Sequence, residues 1–227
     1  MRTIARSITA GGWVVRVIGV IGRKGGVGKT TVAIHLAAEL ASVRRKVVVV
    51  DADVQGSATY WAEPGNLPVE VVHLPLEGAS AVAAWNRDIQ NLDADVVVVD
   101  GPPHLDAALG GIIGLADVVV VPCGPSGLDL VATGEVVGLV HEIRSNRSDG
   151  DPKLIIVPNR VDCRTNTGRE LPDALKDLKE PIAPSLGDRT AFSDAFNAGE
   201  WVGAYAPGSK AHQEIQAVAK FIWRRMR

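Results

Sequence analysis

Three runs of four consecutive valines, at residues 47–50, 96–99 and 118–121, constrain this chain more than any other feature. A strand with one wet face alternates apolar and polar residues. A strand that is apolar at every position is covered on both faces. Strands are expected at 17–21, 46–50, 69–73, 95–99, 117–121 and 153–157, with a weaker one at 181–183. Between them the apolar spacing becomes helical. Val32, Leu36 and Leu40 repeat every fourth residue, residues 131–143 read as another helix, and Ile215, Val218 and Ile222 mark a last one. Strand–helix alternation of this kind predicts an α/β fold: a doubly wound, mainly parallel sheet with helices on both faces.

Composition narrows the function classes. The 227 residues suffice for one sizeable core. With 24 Lys+Arg against 26 Asp+Glu, the net charge is -2, so any polyanion contact must come from a local basic patch. Two cysteines, Cys123 and Cys163, cannot build a disulfide framework and suit a reducing cytosol. No apolar run approaches the roughly 20 residues that span a bilayer. The first twelve residues carry Arg2 and Arg6 but no long apolar core, which argues against a cleaved signal. The expected organisation is a tail at 1–15 and one domain at 16–227.

Glycine and proline cluster just after expected strand ends, at 22–28, 101–103 and 124–125. In open α/β sheets that edge is where ligands bind. Residues 22–31 read GRKGGVGKTT, between a strand and a helix, the context that a phosphate-binding loop requires. The backbone of Gly25, Gly26, Val27 and Gly28 would turn N–H groups toward a polyphosphate, and the helix N-terminus would add partial positive charge. Lys29 would neutralise the β- and γ-phosphates. The Thr30 hydroxyl would ligate Mg²⁺, and Thr31 would lie near the α-phosphate. Lys24 is unusual, because a second lysine so close to Lys29 calls for an anion between them.

Two strands end in carboxylates. VVVVD at 96–100 delivers Asp100 toward a Mg²⁺ shell. Gly101 follows, where a backbone N–H could sense a γ-phosphate. The second strand ends at Asp51 and continues DADVQGSATYW. Asp51 and Asp53 alternate, so one can face the metal region and the other the γ-phosphate. Asp51 could equally cap the next helix. Asn159, after the sixth strand, offers a donor and an acceptor to an adenine edge, although asparagine after proline is also an ordinary turn residue.

KGGVGKTT resembles the deviant Walker A motif of the ParA/MinD ATPases, and DADVQGSAT resembles the DxDxQGSAT segment of their chromosome and plasmid partition members. RTAFSDAFNAG, at 189–199, resembles the penultimate helix region of small ParA proteins. The likeness runs from about Arg16 to the C-terminus and is greatest to the short ParF-like group, which lacks an N-terminal DNA-reading domain. Val54 departs from the proline usual in the family. The resemblance implies that Lys24 reaches across a nucleotide-sandwich homodimer to the partner's phosphates. It also implies that Asp53 is needed for hydrolysis, that Asp51 is a metal-side carboxylate, and that Asn159 and Arg160 lie at the adenine. It further implies ATP and Mg²⁺ as ligands, nonspecific DNA binding, and a ParB-like or adaptor protein that stimulates hydrolysis. Location would be cytoplasmic and nucleoid-associated, with no stable membrane association.

The C-terminal segment has Lys210, Lys220, Arg224, Arg225 and Arg227 against a single acid, Glu214, and is the expected DNA surface. Arg144 and Arg147 are the fallback. A MinD-like membrane switch would instead need an amphipathic C-terminal helix free to insert. Iron–sulfur relatives would need cluster cysteines, and no C-x-x-C occurs. A small-molecule ligase would need a substrate motif, and none is evident. His35 reads as a surface or satisfied histidine, His104 as structural, and Trp61, Trp85 and Trp201 as packing anchors.

Overall fold

The computed structural model describes residues 15–103, 106–147 and 151–226. His104 and all but the last residue of the 1–15 tail lie outside the described residues. Six strands alternate with helices: β1 (Arg16–Val20), β2 (Val47–Asp51), β3 (Glu70–His73), β4 (Val96–Asp100), β5 (Val118–Cys123) and β6 (Lys153–Pro158). The helices are α1 (Lys29–Ala41), α2 (Ser57–Ala62), α3 (Val82–Gln90), α4 (Asp106–Leu115), α5 (Gly127–Ser145), α6 (Asn166–Ala174), α7 (Thr190–Asn197), α8 (Val202–Tyr205) and α9 (Lys210–Met226). All strand pairs are parallel, in the order β3-β2-β4-β1-β5-β6. The expected strand at 181–183 is not one. Ile182 makes an isolated bridge to Ile156, because Pro181 has no N–H to extend a ladder.

The valine runs explain the layering. Val48, Val50, Val97, Val99, Val119 and Val121 face one core with Trp85, Ile89, Leu109, Ile112, Val136 and Val140 of α3, α4 and α5. Their neighbours Val47, Val49, Val96, Val98, Val118 and Val120 face the other, with Val32 and Leu36 of α1, Trp61 of α2, Phe192 of α7 and Ile215, Val218 and Ile222 of α9. The period of two thus persists, but both faces are dry. Each fully buried valine contributes about 1.5–3 kcal/mol relative to exposure.

Strand order reverses around β1, which lies between β4 and β5. A crevice opens there beyond the strand C-termini. Register brings Val20, Asp100 and Asp51 side by side at that edge, on β1, β4 and β2. The loop from β1 into α1 lies directly above them. On the far side, α1 packs on α9, with Glu39 near His212 (3.4 Å) and the Arg45 guanidinium 3.8 Å above the Trp223 ring. The two helices therefore run in the same sense.

Candidate nucleotide site

Gly26 and Gly28 adopt φ of 73° and 94°, values that L side chains rarely take. A Cβ on Gly28 would stand 2.3 Å from Asn159 Nδ2. The loop so formed curls over α1, whose N-terminal Gly28 offers no side-chain cap. The first N–H groups of α1 are left for an anion. A cavity of about 760 Å³ opens here, lined by Gly25, Gly28, Lys29 and Thr30, by Asn159 and Arg160, and by the loop Gly187–Arg189.

Lys29 is buried and donates from Nζ to the Lys24 carbonyl at 3.2 Å. Burial lowers its pKa, while the carboxylates of Asp100 and Asp53 pull it back up. Thr30 Oγ1 donates to Asp100 Oδ2 at 2.6 Å. Asp100 is 2% exposed, and its Oδ1 has no hydrogen-bond partner among the described residues. Burial pushes the Asp100 carboxyl up to about 7, with Asp51 and Asp53 adding to the rise and Thr30 and Lys29 opposing it. An orphaned carboxylate oxygen beside a threonine hydroxyl and a buried lysine fits a cation and polyphosphate. No group of three or more His, Cys, Asp or Glu among the described residues is placed to hold a metal. A Mg²⁺ ion here would therefore take most of its oxygens from phosphate and water.

Asp51 stands otherwise than as an open metal ligand. It is wholly buried, and its Oδ2 accepts from Thr59 N at 2.8 Å and Thr59 Oγ1 at 3.0 Å. Its Oδ1 accepts from Asp53 N at 3.2 Å. That is the capping alternative in geometry: the carboxylate holds the first turn of α2 and the start of the Asp53 loop. Asp53 itself lines the cavity and is partly exposed. Asn159 is also committed. Its Nδ2 donates to the Val27 carbonyl at 2.8 Å, so one of its N–H groups braces the phosphate loop while the residue also lines the cavity. Arg160 is exposed in the left-handed region, at φ 55°. Thr31 lines the cavity with Thr30.

Lys24 does not point at its own phosphate loop. Its Nζ lies 2.7 Å from Asp129 Oδ1 on α5. Asp129 is held below the ordinary carboxylate range: burial works against this, and the Lys24 and Ser126 hydrogen bonds outweigh it. Beside this pair, Arg23 Nη1 reaches Glu135 Oε2 at 3.1 Å. Asp129 thus supplies an anion to Lys24, while the carboxylates acting on Lys29 are Asp100 and Asp53. No local signal could have paired residues 105 positions apart.

The rest of the cavity wall was legible only in part. Arg189 forms a paired contact with Glu214 (2.6 and 2.9 Å), which also accepts from Gly187 N at 3.0 Å. Tyr60, Trp61, Phe192 and Phe196 complete the cavity wall, with Trp61 and Phe196 rings 5.0 Å apart. Trp61 serves as an anchor as expected, donating from Nε1 to the Glu200 carbonyl. His35 is wholly buried and half satisfied. Its Nδ1 accepts from Val202 N at 3.2 Å, its Nε2 has no partner among the described residues, and burial drives its pKa down to about 3.

Lys210, Lys220, Arg224 and Arg225 are all exposed on α9, while Ile215, Val218 and Ile222 are buried beneath. Arg225 stacks 3.5 Å over Phe221. Arg144 is committed to Glu180 and the Pro152 carbonyl, and Arg147 to the Gly114 carbonyl. Among the described residues no helix is long and apolar enough to cross a membrane.

A family model described as the CobQ/CobB/MinD/ParA nucleotide binding domain matches residues 18–202. A "Maintenance of carboxysome distribution protein A" from Gloeobacter kilaueensis is 40% identical over 192 residues, 82% of this chain and 79% of that one. The chromosome-partitioning ATPase Soj of Thermus thermophilus is 27% identical over 241 residues, 93% of this chain and 97% of that one. Among solved structures, the MinD cell division protein of Aquifex aeolicus superposes with a TM-score of 0.75 at 20% identity, covering 92% of this chain and 97% of that one. An ATP complex of Cyanothece McdA gives 0.73 at 15% identity, covering 93% and 96%. At such identities these structures speak for the fold.

Proposed function

Because the chain belongs to the CobQ/CobB/MinD/ParA nucleotide-binding family, we propose that it is a Mg-ATP-dependent ATPase switch that positions a cargo. The observation that carries this is the Thr30–Asp100 pair under a left-handed glycine loop, with one buried Asp100 oxygen left unpartnered. Relatives for carboxysome distribution, at 40% and 30% identity, favour a large protein assembly as cargo over a plasmid.

In this reading the N–H groups of residues 25–28 and Lys29 bind the polyphosphate. Thr30 and Asp100 hold Mg²⁺, which offsets phosphate charge when bound. Asp51 positions the Asp53 loop, and Asp53 orients the attacking water. Asn159 keeps the glycine loop in its bound shape. Lys24 exchanges Asp129 for the phosphates of a second copy, so its release from α5 accompanies dimer formation. The exposed cations of α9 meet duplex DNA without reading sequence. Two copies in one dimer double the phosphate contacts and tie DNA affinity to nucleotide state. A partner protein accelerates hydrolysis and resets the switch, in a cytoplasmic, nucleoid-associated cycle. The buried stripe of α9 argues against membrane insertion, since Ile215, Val218 and Ile222 already pack on the sheet.

The test uses Asp53→Ala to hold ATP. Light scattering after size exclusion should show a dimer with Mg-ATP and a monomer without it. The dimer should bind random-sequence duplex with an affinity that falls steeply with salt. Replacing Arg224 and Arg225 with Glu should flatten that salt dependence while leaving the dimer intact. A monomer under saturating Mg-ATP would overturn the switch, and an unchanged salt slope would remove α9 from the DNA surface.

A further inference from the structure

We infer that His73 is a positioning residue for hydrolysis, acting on Asp53 through the backbone of its loop. His73 is the last residue of the edge strand β3, in register with Asp51 on β2. That register is locked by Leu74 N donating to the Asp51 carbonyl at 2.9 Å and Leu76 N to the Ala52 carbonyl at 3.1 Å. From this position the His73 ring reaches beyond the strand end, and Nε2 lies 3.1 Å from the Asp53 carbonyl oxygen. A carbonyl oxygen only accepts, so Nε2 must carry the proton.

Three further contacts hold Asp53. Its N–H donates to Asp51 Oδ1 at 3.2 Å, its Oδ1 accepts from Gln55 N at 3.0 Å, and its carbonyl accepts from Gly56 N at 3.0 Å. Those three contacts come from the loop itself or from the strand leading into it. His73 is the one of these partners that arrives from a different strand. The contacts from Gln55 and Gly56 can move with the loop, whereas Asp51 of β2 and His73 of β3 tie it to the sheet, Asp51 at the Asp53 N–H and His73 at the Asp53 carbonyl. A carboxylate that must orient water tolerates little displacement, so a tie of this kind acts on turnover more than on ATP affinity. The ring lies over Gly56 of the same loop: a Cβ built there would meet Nε2 at 3.7 Å, ordinary van der Waals contact.

This inference rests on the assignment of Asp53 to the hydrolytic step. The experiment compares His73→Phe, which keeps a flat ring but has no donor, with His73→Gln, whose amide can place an N–H near the Nε2 position. Single-turnover phosphate release from Mg-ATP is measured with the full chain, alongside KM, fluorescent ATP-analogue affinity and thermal stability. His73→Phe should slow phosphate release roughly three- to tenfold, the span expected for loss of one hydrogen bond. Affinity, KM and melting temperature should stay within about twofold or a degree or two of wild type by the same reasoning. His73→Gln should recover most of the rate. Equal rates for His73→Phe and wild type, or equal losses in both variants, would overturn the role. Asp53→Ala separates the two levels of the argument. If it still hydrolyses ATP at the wild-type rate, the reading of Asp53 fails. If it is inactive and His73→Phe is not slowed, only the inference about His73 fails.

Discussion

In the nucleotide-free protein, two buried groups should impose pH dependences of opposite sign that nearly cancel. Burial raises Asp100 from 3.8 to about 7. Between those values the folded state keeps a proton that the unfolded chain has released, so stability falls as pH rises. Burial lowers His35 from 6.5 to about 3. Between those values the unfolded chain holds a proton that the folded state lacks, so stability rises with pH. Each slope approaches one proton, about 1.4 kcal/mol per pH unit. From roughly pH 4.5 to pH 6, each therefore amounts to about 2 kcal/mol, in opposite directions. Asp100→Asn retains an acceptor for Thr30 and removes the first slope. His35→Asn retains an acceptor for Val202 N and removes the second. The assay is thermal unfolding in chelator without nucleotide, read as variant minus wild type so that other carboxylates cancel. Across that interval Asp100→Asn should gain about 4–8 °C in relative Tm and His35→Asn should lose about as much. Curves parallel to wild type for either variant would refute the reasoning for that group.

Three further outcomes follow from the same geometry. Gly28→Ala should abolish ATP binding measured by calorimetry, because the added Cβ meets Asn159 at 2.3 Å and the backbone is left-handed; retained micromolar affinity would contradict it. Asp129→Asn should release Lys24 and lower the protein concentration at which Mg-ATP dimers form, while costing no more than about 1 kcal/mol in the monomer, since Lys24 is 40% exposed; an unchanged dimer threshold by analytical ultracentrifugation would remove Asp129 from the equilibrium. Leu36→Ala, at 1% exposure between α1 and the sheet, should cost about 2–5 kcal/mol in denaturant unfolding; a loss under 1 kcal/mol, on the scale of a surface change, would contradict that packing.

The layers were legible because they depend on local pattern. Uniform valine strands imply two dry faces, and the phosphate loop announces itself by glycines followed by Lys-Thr between a strand and a helix. Helix starts were less legible. Residues 131–143 read as helical from apolar spacing, yet α5 begins at Gly127, where Ser126 accepts the Asp129 N–H. Leu128 and Val131 are exposed, so periodicity could not mark that first turn. Partner choice was least legible. Asp51 and Asp100 have the same look, a carboxylate after four valines, and differ because Thr59 satisfies one while the other keeps a bare oxygen. Asn159 looked available because its partner, the Val27 carbonyl, is 132 residues away. Histidine exposure had no local signature either: His35 is sealed between Trp61 and Phe192, whereas His73 stands open at the sheet edge.

The length of α1 has a mechanical meaning. Its 13 residues make a rod about 20 Å long. One tip lies under the phosphate loop at Lys29, and past the other Arg45 stacks on Trp223 beside the exposed arginines of α9. Glu39 and His212 join the C-terminal end of α1 to the start of α9. A helix resists stretching and compression far better than it resists tilting about such a contact. A shift of the phosphate-side tip would therefore swing α1 about a contact at its opposite end, the same contact at which α9 begins.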